Sequence, residues 1–141
     1  MTLKNTDLFN IEVINHQTID NTTDNICESG VGSFYIKNDK QYIIYKVKND
    51  GEETSVIVTI QKDCVTVKRS GAVSSVMVFD KTKKTNLKYN TMYGCIDTVV
   101  DTTKIVHAID HNGGKLRLVY TLTMQGAKMY NDMIIQITPL K

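Results

Sequence analysis

Apolar residues recur at every second position along most of this chain, from Leu8 to Thr138, and no stretch replaces that rhythm with a helical one. The single proline, Pro139, stands two residues from the end. Alternation punctuated by Asn, Asp and Gly turns is the pattern of antiparallel strands with one dry and one wet face. A chain made almost wholly of such strands must hide the edges of its sheet, and closing into a barrel does so directly. The pattern specifies an architecture and leaves the activity open.

At 141 residues the chain is long enough for one domain, spanning 1–141, that buries its core without staples. A net charge of +2 is too small to suggest a nucleic-acid partner or a membrane surface. The first 25 residues hold no apolar core of signal-peptide length, and no run approaches a membrane span. Cys27, Cys64 and Cys95 are odd in number and form no C-x-x-C, so neither a zinc ribbon nor a redox pair is written here. Reduced thiols, a cytoplasmic location, no membrane insertion, no nucleic-acid partner and no cofactor are the resulting expectations.

The alternation divides the chain into strands near Leu8–Gln17, Asn25–Lys37, Gln41–Lys48, Glu53–Gln61, Cys64–Ser70, Val73–Asp80, Met92–Thr102, Lys104–Asp110, Lys115–Met124 and Lys128–Thr138. A polar connection, Thr18–Asp24, joins the first two, and a bend is expected at Gly30 and Gly32. Asn38-Asp39, Asp50-Gly51, Lys62-Asp63, the run from His111 to Gly114, and Gln125-Gly126 are the turns, while a lysine-rich stretch precedes Tyr89. Short loops favour an all-β, up-and-down antiparallel barrel of about eight to ten strands over a Greek-key sandwich, which needs long crossovers.

Three segments carry a family resemblance: Val65-Thr-Val-Lys-Arg69-Ser70-Gly71, Met77-Val-Phe79, and Tyr89-Asn-Thr-Met-Tyr93-Gly94. Together with the aromatic strands Ser33–Lys37 and Tyr42–Tyr45, they resemble the YwiB-like family of uncharacterised bacterial proteins. The resemblance implies a calycin-like barrel related to lipocalins and fatty-acid-binding proteins. It implies no activity, and the lipocalin entrance tryptophan has no counterpart, since the chain contains no Trp.

Of 17 basic residues only two are arginines, Arg69 and Arg117. Arg69 alternates with Val65 and Val67 and points inward, where a guanidinium needs a carboxylate, backbone carbonyls or an anionic ligand. Arg117 falls opposite Leu116 and Leu118 and faces solvent. Tyr89 and Tyr93 share a strand face and are either core plugs or, with Arg69, groups that orient a ligand carboxylate. His107 and His111 lack strand-compatible metal spacing, and His107, alternating with Ile105 and Ile109, reads as partly buried. Asp97 and Asp101 share the face of Cys95 and Val99 and read as solvated. No Gly-x-Ser-x-Gly elbow or Cys–His pairing suggests a nucleophile, so catalysis is not expected and no catalytic or metal residue is named. Lys68, Lys81, Lys83, Lys84 and Lys88 form a basic patch lacking the exposed aromatics of nucleic-acid binders. The leading expectation is non-enzymatic binding of a small apolar ligand with an anionic end inside the barrel, held by Arg69, Tyr89 and Tyr93. The alternative is a structural or interaction module whose barrel is filled by its own side chains, among them Phe9, Phe34, Met77, Phe79, Met129 and Met133.

Overall fold

The computed structural model describes residues 8–49, 51–71, 74–91 and 94–140, with the backbone alone at 49 and 88–91. Ten strands follow one another: β1 (Leu8–Ile19), β2 (Thr22–Lys37), β3 (Lys40–Asn49), β4 (Glu52–Gln61), β5 (Cys64–Ser70), β6 (Ser75–Asp80), β7 (Thr85–Thr91), β8 (Gly94–Asp110), β9 (Gly113–Met124) and β10 (Ala127–Pro139). They form one antiparallel sheet in the order β6-β5-β4-β3-β2-β1-β10-β9-β8-β7. Except for β6 and β7, each strand pairs with its chain neighbours, and β1 pairs with β10, so the sheet curls into a nearly closed barrel. Its edges, β6 and β7, are consecutive in the chain and meet without a ladder; Thr85 Oγ1 donates to the Val78 carbonyl across the seam at 2.5 Å. No helix of the described residues is long and apolar enough to cross a membrane.

Local chemistry sets the turns. Asp20 and Asn21, and likewise Asn38 and Asp39, both adopt positive φ, the geometry of tight turns whose twist matches that of the strands they join. The first of these turns corrects the expected polar connection at Thr18–Asp24. Thr18 pairs with Thr23 and Ile19 with Thr22, so the strands run on to a two-residue hairpin. Polar side chains on both faces there conceal the strand from a pattern based on apolar alternation.

Two further differences offset each other in the strand count. Separate strands are expected at Met92–Thr102 and Lys104–Asp110; residues 94–110 form the single strand β8, whose ladder to β9 skips Thr103 in a bulge, while residues 92 and 93 lie outside the described residues. Before the bulge Thr98, Val100 and Thr102 are buried, and after it Ile105, His107 and Ile109 pair with inward-facing stretches of β9, so the inward parity changes from even to odd. Conversely, the lysine-rich stretch contains β7, in which Leu87 is buried.

His107 is exposed, against the expectation of partial burial. Thr85, the first residue of β7, pairs with Val100, so beyond that point β8 is laddered to β9 alone and His107 lacks a shielding neighbour strand. Asp97 is exposed and Asp101 half-buried, on the face opposite Thr98 and Val100. Lys68, Lys81, Lys83 and Lys84 are exposed; the side chain of Lys88 lies outside the described residues.

Candidate functional site

Inward side chains fill one end of the bore and leave the other open. At the filled end, Phe9 and Phe34 meet edge to face at 6.3 Å, and Phe34 in turn meets His111 of the β8–β9 turn at 5.7 Å. Ile11, Ile43, Ile60, Leu116 and Ile137 are fully buried among them. Leu140 N–H donates to the Leu8 carbonyl, tying the two ends of the described chain together there.

Toward the opposite end, beside the β1–β2, β3–β4 and β9–β10 turns, the bore widens into a cup of about 490 Å³. That volume falls within the range of small-molecule pockets. Phe79 and Tyr120, edge to face at 4.6 Å, lie at its base. Val13, Val67, Met77, Leu122, Met133 and Ile135 supply apolar wall, and Gln17, Glu52, Thr54 and Ser75 add polar groups. Asn15 also lines it; its amide donates to Asn131 Oδ1 at 3.2 Å, and Asn131 donates to the Met129 carbonyl at 3.0 Å.

An ion pair crosses this cup. Arg69 on β5 donates from Nη1 and Nη2 to the two carboxylate oxygens of Glu28 on β2, at 3.1 and 2.7 Å. This is the two-bonded fork that makes Arg–carboxylate contacts strong and directional. Tyr45 on β3 donates its hydroxyl to Glu28 Oε1 at 3.1 Å. Burial, reinforced by the Glu28 charge, pushes the Tyr45 phenol above its ordinary value of 10.0, so it remains a proton donor. The Arg69 side chain is 34% exposed and that of Glu28 16%, so the pair faces the cup's solvent.

Arg69 therefore lies in the interior, as its alternation suggests, but its charge is already balanced by Glu28. No sequence motif marks Glu28 as that partner. The signal was present: Glu28, Gly30, Gly32 and Phe34 share one strand face, which makes Glu28 an acid on an inward stripe. Arg117 lies on the outer surface, 45% exposed, and forks onto Asp132 at 2.9 and 2.7 Å. Tyr93 lies outside the described residues. Tyr89 pairs with Ile96 through its backbone on β7, and its side chain lies outside them.

The described residues hold no cluster of three His, Cys, Asp or Glu side chains suited to a metal. Cys27 is exposed and Cys64 half-buried, and burial pushes the Cys64 thiol up, with Asp80 adding to the shift. A raised thiol is a poor nucleophile at neutral pH.

Residues 11–136 match the model of a family described as a domain of unknown function, DUF1934. The chain belongs to the DUF1934 family. Among proteins similar to this DUF1934 member is the uncharacterised β-barrel protein YwiB of Bacillus subtilis (strain 168), 29% identical over 91 residues. That alignment covers 64% of this chain and 64% of YwiB's own length. The crystal structure of the ywiB protein from Bacillus subtilis superposes with a TM-score of 0.86 at 23% identity, covering 96% of this chain and 93% of that one. The DUF1934 barrel is thus a shared fold, and the family's function is unknown.

Proposed function

We propose that this protein binds a small, mainly apolar molecule in the cup, without catalysing its conversion. The observation that carries the proposal is the uneven filling of the bore, packed at the Phe9/Phe34 end and hollow over about 490 Å³ at the other. Apolar wall supplies affinity by removing ligand surface from water, and a few polar groups at one side fix orientation. The Glu28–Arg69 pair is suited to that second role.

The same pair argues against a bare anion seated deep inside. A ligand carboxylate placed there meets Glu28 and Glu52 as well as Arg69, and like charges in a confined site repel. The ligand's body belongs in the cup and its polar end towards the rim. Architectural kinship with lipocalin-type barrels is compatible with this reading but does not carry it.

A thermal-shift series with decanol and longer aliphatic alcohols tests it. Ligand at about a hundredfold excess over Kd stabilises the native state by about 2.7 kcal/mol. In a chain of this size each kcal/mol raises Tm by roughly 2–4 °C. Thr54→Trp, which places a large ring on the cup wall, removes the shift. Absence of any shift across the series would contradict ligand binding in the cup and favour an interaction module.

A further inference from the structure

A second hollow adjoins the cup through the wall. Beside the point where Thr85 reaches Val78, a notch of about 360 Å³ lies at the unladdered seam between β6 and β7. Lys68, Arg69, Ser70, Ser74, Ser75 and Asn86 line it together with the apolar Val76 and Leu87. Arg69 and Ser75, paired across β5 and β6, line both the notch and the cup, so the two hollows are immediate neighbours.

The two hollows differ in charge. The cup lining holds two carboxylates, Glu28 and Glu52, with the guanidinium of Arg69, whereas the described lining of the notch holds no carboxylate and adds Lys68 to the Arg69 already paired with Glu28. Its remaining polar residues are three serines and an asparagine, each able to donate a hydrogen bond to an oxyanion. The polar part of this lining suits an anionic group with several acceptor oxygens. The two oxygens of a carboxylate use fewer of these donors than the three terminal oxygens of a phosphate monoester, which also carries close to two negative charges at neutral pH.

We propose that the seam notch holds the phosphate head of an amphiphile whose aliphatic body lies in the cup. The inference rests on the cup being a binding site, and it adds the ligand class: an aliphatic phosphate monoester. It also moves the expected anionic end from the barrel interior to a side opening in its wall. Glu28 then keeps the Arg69 side chain in place, while Lys68 and the serines supply the added attraction.

Calorimetric titration of the whole protein with decyl phosphate, decanol and inorganic phosphate tests the assignment. Charge-assisted hydrogen bonds contribute enough that decyl phosphate binds at least about tenfold more tightly than decanol. The double variant Lys68→Gln/Ser74→Ala alters two exposed residues. It removes most of that advantage and leaves decanol affinity unchanged. Raising the salt concentration shrinks the advantage in the wild-type protein, as screening requires. Equal affinities for decyl phosphate and decanol overturn the phosphate assignment while leaving the cup as a site. Equal weakening of both ligands by the double variant also overturns it. If neither decyl compound binds, the cup reading itself fails and the head-group site falls with it; tight binding of inorganic phosphate alone would instead make the notch an anion site unconnected to the cup and contradict the proposal.

Discussion

Arg69 and Arg117 each fork onto a carboxylate, and their surroundings make the two contacts unequal. Arg117 and Asp132 lie on the outer face, where water competes with and screens the pair. Arg117 nevertheless holds the Asp132 carboxyl below its ordinary 3.8, chiefly through the hydrogen bond. Arg69 faces a Glu28 that is mostly withdrawn from water and also anchors Tyr45. Removing Arg69 leaves that acid without its main counter-charge. Arg69→Ala is expected to cost about 1–3 kcal/mol, a range discounted for the guanidinium's partial exposure, and Arg117→Ala clearly less. Urea midpoints at unchanged slope measure both, and equal midpoints would show that the interior pair has no special role. At this scale alternation made Arg69 legible, because Val65 and Val67 fix its face. Glu28 was harder to see, because an acid among Asp24, Asn25 and Ser29 looks like one more polar residue until its face is counted.

β2 shows how an element positions the site. Gly30 and Gly32 lie on its inward stripe, and β2 is laddered to β3 only from Val31 onward. A Cβ on Gly32 would overlap the Ile44 carbonyl oxygen and stand 2.7 Å from Tyr45 Cβ and 2.8 Å from Ile11 Cδ1. A Cβ on Gly30 would overlap the Lys46 carbonyl and lie 3.5 Å from the Tyr45 ring. The missing side chains give Tyr45 the space from which its hydroxyl reaches Glu28. Gly32→Ala is therefore expected to destabilise by about 2–3 kcal/mol through overpacking against backbone that cannot yield. Thermal denaturation checks this, and a loss below about 0.5 kcal/mol, as at an ordinary surface site, would contradict it. The alternation places these glycines on the same face as Phe34, so their inward position is legible from sequence. The continuity of β8 is not, because a bulge reverses parity at Thr103 and imitates a strand boundary. β7 is concealed for a different reason: in Thr85–Thr91 polar residues outnumber the apolar ones that would mark a buried face.

On the scale of the whole molecule, the sheet protects its edges and spends its core unevenly. The edge strands are short, six residues in β6 and seven in β7, and the exposed Lys81, Lys83 and Lys84 follow directly on the first, which discourages edge-to-edge pairing. Alternation correctly sorts side chains into inside and outside, so barrel closure was legible. The height of each side chain along the bore was not, because it depends on strand stagger and tilt, which period-2 patterning does not encode. That height decides whether Phe9, Phe34 and Phe79 fill the whole interior or only part of it, and hence whether the barrel is a plug or a cup. The most direct measurement is a methyl NMR titration of the protein with decanol. Methyl resonances of Val67, Leu122 and Ile135 in the cup should move and saturate together, while those of Ile11, Ile43 and Ile137 at the packed end stay in place. Uniform small changes at both ends, or no saturable change in the cup, would contradict a binding site there.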